Sequence, residues 1–235
     1  HTGAIAGNDD AFNAFINYHG IARVEIFETL IEIPNLFKNK KRSESKRVGI
    51  ITTTGGGGAM VVESLSGSDI EIIDPGLSIK KIMQDNNIAF NNNKLVDLTI
   101  AGTKPEIVNE VISQMMKNEN CDLVVMVVGS SAKFRPEQAV EPLLKWTNDP
   151  KPLAVYVAPD APEALNLLHQ NNIACFRTPE SCAESVKTFL NTKNPVKPII
   201  LKNDLSDISK KLEKNIFKNL SEDEALEIFK DIGIK

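Results

Sequence analysis

From Arg47 onward the sequence alternates between short apolar runs rich in β-branched residues and stretches whose apolar residues recur with a helical period. VGIITT, DIEIID, LVDLTI, CDLVVMVVG, PLAVYVA and ACFR read as strands. Between them, GGGGAMVVESL reads as a loop running into a helix. Residues 78–88, KPEIVNEVISQMMKN, Arg135–Trp146 and a stretch ending at Gln170 read as further helices. In KPEIVNEVISQMMKN, Ile107, Val108, Val111, Ile112 and Met115 fall on one stripe, behind an early Pro105. Asp160 and Glu163 are spaced as a capping box for the helix to Gln170, and Thr178 with Pro179 opens the last helix of the series. Uninterrupted apolar strands separated by helices predict an α/β fold. The expected architecture is a doubly wound, flavodoxin-like parallel sheet with right-handed crossovers and helices on both faces. This unit is expected to span residues 47–190.

The flanks read differently. Residues 1–38 are expected to hold a loop and helices. One helix starts near Asp9 with Ala11, Phe12, Phe15 and Ile16 on one face and stops before Gly20. Ile21–Val24 reads as a short strand, and a second helix runs from about Glu25 to Leu36. Residues 39–46 are polar, highly charged and without apolar period, so a linker is expected there. Residues 191–235 are expected to be a linker followed by one helix, with VKPIIL as an extra strand. That helix is LSEDEALEIFKDIGIK, capped by Ser221 with Glu224 three residues on, and nothing after it in the sequence covers its apolar face.

Composition narrows the function classes. A net charge of −4 lacks the basic footprint of a nucleic-acid binder. Cys121, Cys175 and Cys182 lack metal-site spacing, and three scattered thiols fit a reducing compartment. No apolar run approaches the ~18–20 residues that span a bilayer. The expectation is a cytoplasmic protein, with no membrane and no metal site.

Thr54 and the four glycines Gly55, Gly56, Gly57 and Gly58 sit between a buried strand and a helix. Residues without side chains let the backbone approach an anion closely, and the amides and dipole of the helix start favour negative charge. The alternative use of such glycines is a tight turn alone. The run is not a Walker A loop, because Ala59-Met60 follows where a lysine and a hydroxyl are needed. It also lacks the third spaced glycine of a dinucleotide fingerprint, and with 6% aromatic residues a flavin stack is weakly supported. In an open α/β sheet, ligands bind at the carboxyl ends of the strands. Asp97 and Thr99, towards the end of the third strand, fall at that same edge with Gly129, Ser130, Ser131 and Arg135; Asp97, Gly129, Ser130, Ser131 and Arg135 are candidate ligand-loop residues. Arg135, just before Pro136, either supplies charge there or is an exposed helix start. Asp160 reads as a cap, and His19 and His169, late on helices, as structural.

HTGAIAGNDDAFNAF followed by GIARVE resembles the phosphohistidine segment of the NDP-forming acyl-CoA synthetases, relatives of succinyl-CoA synthetase. The likeness continues through RVGIITTTGGGGAMVVESL, LVDLTIAG, DLVVMVVGSS, KPLAVYV and FRTPESC, and LSEDEALEIFKDIGI is similar to the opening helix of the family's ATP-grasp domain. It implies an acid–CoA ligase that makes or cleaves a thioester through acyl-phosphate and phosphohistidine, with CoA, ATP/ADP and Mg2+ bound mainly by other domains. His1 would carry the phosphoryl group, and Thr54 with Gly55–Gly58 would cradle it. The implied partners are a carboxylic acid or acyl-CoA, CoA-binding and ATP-grasp domains in the same chain or a partner subunit, and a second copy in an oligomer. By that likeness the chain is expected to be a piece of a fused enzyme or a subunit of a split one, inactive alone. The family's Asn-Pro before Val-Asp-Leu is Lys94-Leu95 here. Two other readings compete: the regulatory scaffold of a protein acetyltransferase, and a flavodoxin-like binding module without catalysis.

Overall fold

The computed structural model describes residues 8–38, 40–90, 94–99, 101, 104–196, 209, 210, 213 and 220–231. His1 and the VKPIIL stretch after Val196 lie outside the described residues. The chain divides into two compact units, residues 1–194 and 195–235.

The first unit opens with three helices: α1 (Asp9–Tyr18), α2 (Phe27–Glu32) and α3 (Pro34–Phe37). Asn8 caps α1 through its side chain, and Gly20 turns the chain with a positive φ of 64°. Two expectations fail here. Ile21–Val24 forms no strand: its alternation has no ladder to join. The helix expected over 25–36 is split at Ile33, because Pro34 has no N–H and starts a new turn.

The strands are β1 (Arg47–Thr52), β2 (Glu71–Ile72), β3 (Leu95–Asp97), β4 (Leu123–Val128), β5 (Leu153–Val157) and β6 (Ala174–Phe176). All pairings are parallel, in the order β2-β1-β4-β5-β6, and β3 continues along the same edge of β1 beyond β2. The connecting helices are α4 (Gly55–Leu65), α5 (Gly76–Asp85), α6 (Pro105–Lys117), α7 (Ser131–Phe134), α8 (Pro136–Leu144), α9 (Pro162–Gln170) and α10 (Pro179–Asn191). This is the doubly wound α/β sheet the alternation implies.

The period of two sorts the strand side chains into two cores. Ile51, Met126, Val155 and Val157 pack on one face with α6 and α9 residues such as Ile112 and Leu168. Ile50, Val125, Tyr156 and Phe176 pack on the other with Val61 of α4 and Phe189 of α10. Each fully buried aliphatic or aromatic side chain contributes about 1.5–3 kcal/mol. At the amino ends of β1 and β4, Arg47 donates to Asp122 from its backbone at 2.9 Å and its Nε at 3.0 Å, pinning the register. Burial pushes the Asp122 carboxyl up, but these bonds win and hold it below the usual carboxylate range.

Residues 40–42 are tied to the sheet body. Lys40 Nζ donates to the carbonyls of Thr147 and Asp149, the Lys41 amide to Pro150, and Arg42 to Thr192 and Lys193. The capping box expected at Asp160 is absent. Pro162 takes the first helical position, so Ala161 is the N-cap and Asp160 lies outside it, exposed. In the second unit, helix α11 (Glu222–Asp231) does carry its capping box: Ser221 N donates to Glu224 Oε2 at 2.8 Å, and Glu224 N to Ser221 Oγ at 3.3 Å.

Candidate functional site

The strand order reverses at β1. The connections after β1 lead to β2 and β3 on one side, and β4 lies on the other. The crevice outside the carboxyl ends of β1 and β4 is therefore the expected ligand site of this sheet. It is framed by the turn from β1 into α4, the end of β3 and the turn after β4.

The β1–α4 turn is shorter than the sequence suggests. The glycines are not a loop: they are the first turn of α4, and only Thr53 and Thr54 connect strand to helix. Gly58 N donates to the Thr54 carbonyl at 3.0 Å, the first bond of the helix. The amides of Gly55, Gly56 and Gly57 precede it and have no intrahelical acceptor. Thr54, the N-cap, does not cap them with its side chain. The dipole of an eleven-residue helix thus ends in amides that its own residues leave open.

Each glycine has a different neighbour. A Cβ on Gly55 would lie 2.7 Å from Asp97 Oδ2. On Gly57 it would meet Thr54 Cγ2 at 2.9 Å and Val127 Cγ1 at 3.1 Å, and on Gly58 it would meet Thr52 Cγ2 at 2.8 Å. On Gly56 it would meet nothing within 4 Å. Gly57 and Gly58 are needed for packing, Gly55 brings the helix against a carboxylate, and Gly56 faces open space.

Threonines knit the turn together. Thr52, fully buried, donates from Oγ1 to the Thr54 carbonyl at 2.7 Å and accepts from Thr54 N at 3.0 Å. Gly129 N donates to Thr53 Oγ1 at 2.8 Å, and Thr53 N to the Val127 carbonyl at 2.9 Å. Asp97 Oδ1 accepts from Thr99 N at 2.9 Å and from the Thr99 hydroxyl. Thr99 holds a φ of +27°, a conformation that a β-branched residue rarely adopts.

The candidate residues therefore separate. Thr54, Gly55–Gly58, Asp97 and Gly129 come together around one turn. Among the described residues, no hydrogen bond joins the side chains of Ser130, Ser131 or Arg135 to that turn. Ser130 and Arg135 are exposed and Ser131 is half-buried at the start of the short α7. Thr99, expected at this edge beside Asp97, does join the turn through that carboxylate. Thr52 and Thr53 were not expected: inside TTTGGGG they look like ordinary strand residues. A hydroxyl directly before a strand-ending turn is the signal that could have found them.

No model of a known protein family matches the chain. The alpha subunit of an ADP-forming acetate–CoA ligase I of Pyrococcus furiosus is 24% identical over 195 residues, covering 80% of this chain and 42% of that one. An ADP-forming acetate–CoA ligase of Methanocaldococcus jannaschii is 36% identical over 64 residues, 27% of this chain and 9% of that one. Both relatives are ADP-forming acetate–CoA ligases by name, in line with the resemblance to the NDP-forming acyl-CoA synthetases. Solved structures share its fold. A Pyrococcus horikoshii protein matches with a TM-score of 0.66 at 17% identity, over 82% of this chain and 46% of that one. The dinucleotide-forming acetyl-coenzyme A synthetase 1 of Ca. Korarchaeum cryptofilum, in complex with phosphate and ADP, matches at 0.65 and 21%, over 80% and 42%. The chain spans less than half the length of these relatives.

His19 and His169 sit at helix ends, as expected. His19 stacks on Phe15 at 4.5 Å, and His169 faces Asn35 at 3.5 Å. Burial raises all three thiols, Cys175 to about 11. Among the described residues no group of three or more His, Cys, Asp or Glu could hold a metal ion. Among them, too, no helix is long and apolar enough to cross a membrane.

Proposed function

We propose that this chain is the phosphoryl-handling part of an ADP-forming acid–CoA ligase. The observation that carries the reading is the start of α4. Three successive amides lack helical acceptors, the N-cap side chain leaves them uncapped, and Gly56 opens onto free space. This is a ready anion site at the strand-order reversal.

In this reading the His1 imidazole attacks the phosphorus of an acyl-phosphate. The N–P bond forms, the P–O bond to the acyl group breaks, and the carboxylate leaves. The phosphoimidazole then gives its phosphoryl group to ADP. In the reverse direction ATP phosphorylates the imidazole, the carboxylate takes the phosphoryl group to form the acyl-phosphate, and the CoA thiol attacks its carbonyl, forming the thioester and releasing phosphate. Imidazole suits the work because it is nucleophilic near neutral pH. The Gly55–Gly57 amides steady the phosphoryl oxygens with donors that cannot themselves be phosphorylated. Asp97 fits the same picture. A carboxylate beside Gly55 repels a bare phosphate but accepts a hydrogen bond from a ligand bringing its own N–H, as a phosphoimidazole does. Thr52, Thr53 and Gly129 hold the turn in shape.

CoA and ATP/ADP would be held mainly by other domains of the same chain or a partner subunit. Residues 191–235 would lead into an ATP-grasp domain, and Mg2+ is assigned to none of the described residues.

The test is to incubate the complete enzyme with radiolabelled ATP, trap acid-labile, base-stable phosphate, and repeat with His1→Ala. Labelling is expected to vanish in the variant. Unchanged labelling would remove His1 from the mechanism. Tight FMN binding by the isolated chain, read by titration calorimetry, would favour a binding module instead.

A further inference from the structure

The charged stretch ahead of β1 takes no part in the candidate turn. Residues 38–47 hold six cations (Lys38, Lys40, Lys41, Arg42, Lys46 and Arg47) against one carboxylate, Glu44, in a chain of net charge −4. The fold ties residues 40 and 41 to the turn that leads into β5, at the amino edge of the sheet and opposite the β1–α4 turn. Beside this strap lies a cavity of about 430 Å3, a volume typical of small-molecule sites. It is lined by the buried Met116 and Cys121 and by four cations, Lys41, Arg42, Lys117 and Lys151.

Local partners account for part of the charge at this edge and leave the rest. Lys46 pairs with Asp69, and Arg47 with Asp122. Lys40 and Lys151 are partly buried, and their ammonium groups meet carbonyls only: those of Thr147 and Asp149 for Lys40, and that of Asn118, at 2.6 Å, for Lys151. Burial pushes both ammonium groups below the usual lysine range. Asn118 is the C-cap of α6, so Lys151 already answers the negative end of that helix. Lys41 and Lys117 are exposed, and among the described residues no ion pair engages either one. Three carboxylates also line the cavity. Asp122 is taken by Arg47, Asp149 accepts from the Lys151 amide at 2.8 Å, and Glu119 is exposed. With Asp122 paired, four cations stand against two carboxylates.

The surplus is about the charge of one phosphate group. Cations gathered at a cleft repel one another, and the low-dielectric walls focus their field on an anion seated between them. A guanidinium and ammonium groups beside apolar side chains suit a small molecule that carries phosphate. A nucleic-acid strand or an anionic membrane needs free cations spread along a face, whereas Lys46 and Arg47, next in the stretch, are spent on ion pairs.

We propose that the cavity between Lys41, Arg42, Lys117 and Lys151 is a separate anion site that binds a phosphate-bearing small molecule at the amino edge of the sheet. It is independent of the reaction proposed above. The test is amine labelling of the complete protein with an N-hydroxysuccinimide ester of acetic acid, read lysine by lysine by mass spectrometry. Inorganic phosphate, pyrophosphate or ADP is titrated in at constant ionic strength. Labelling of Lys41, Lys117 and Lys151 is expected to fall saturably, about tenfold at about ten times the dissociation constant, while Lys81 and Lys145, exposed outside the cavity, are unchanged. Protection by phosphate itself would identify free phosphate as sufficient; protection by pyrophosphate and ADP alone would identify a diphosphate. Lys41→Ser and Lys117→Ser each weaken the protection of Lys151, and together they abolish it in a protein whose circular dichroism is unchanged. Protection that survives in the folded double variant would assign it to a rearrangement caused by binding elsewhere and overturn the proposal. So would the absence of protection by any of these anions, or equal protection of Lys81 and Lys145.

Discussion

The sheet body and the helices ahead of it are built in opposite senses. Around the sheet, apolar side chains meet on both faces, and Ile50, Ile51 and Phe176 are completely buried. In α1 and α2, Phe12, Phe15, Phe27 and Leu30 face outward. The inner contact is instead a polar seam in which Thr29, Glu32, Ser181 and Arg177 are joined by hydrogen bonds. One region is held by exclusion of water, which is non-directional and large. The other adds directional bonds that net about 0.5–1.5 kcal/mol each to a smaller apolar anchor, Ile33 and Leu36, buried in the core that also holds Phe189. The sheet therefore has stability to spare as a platform for a ligand turn, while the N-terminal helices hold a fixed but weakly anchored face.

That contrast can be broken by measurement, most sharply in the sheet. Phe176→Ala is expected to cost about 3–5 kcal/mol, read by urea unfolding. A loss under about 1 kcal/mol would mean that this core is not packed as described. A smaller effect belongs to the seam. Glu184→Ala removes the acceptor of the Glu25 and Ile26 amides just ahead of α2 and is expected to cost about 1–2 kcal/mol. It should also expose residues 20–33 to limited proteolysis at temperatures where the sheet stays protected. Protection equal to wild type would mean that the seam does not hold these helices. The smallest effect is at the outer face: Phe27→Ala should leave stability within about 0.5 kcal/mol of wild type. A core-sized loss there would erase the distinction between the two regions.

The two regions were also unequally legible in the sequence. β1, β4 and β5 stand out because strands buried on both faces must be apolar throughout, and α6 because its stripe follows the helical period. The N-terminal helices were misread where local pattern and tertiary context diverge. Ile21–Val24 alternates like a strand, but a strand exists only where a neighbour offers a ladder. Phe12 and Phe15 fall on an apolar face as expected, yet of that stripe only Ile16 is buried. Pro34 and Pro162 carried information that was underused: each occupies the first position of a helix and so dictates where that helix begins. At the candidate site the glycine run was visible, but not the division of labour inside it. Which glycine packs and which opens depends on Thr52, Val127 and Asp97, brought close only by the fold. For that reason Gly57→Val, an obvious probe from sequence, would collide with Thr54 and Val127, whereas Gly56 can be replaced without steric cost.

The decisive measurement uses that position. In the complete enzyme, the yield of acid-labile, base-stable phosphoenzyme is compared for wild type, Gly56→Ala and Gly56→Asp, with melting temperatures recorded alongside. A carboxylate at a helix start favours the helix, so Gly56→Asp should melt no lower than Gly56→Ala. If the open amides of α4 steady a phosphoryl group, Gly56→Ala keeps its phosphoenzyme and Gly56→Asp loses about tenfold, because a fixed negative charge now occupies the place of the anion. Equal yields in all three folded proteins would contradict the account.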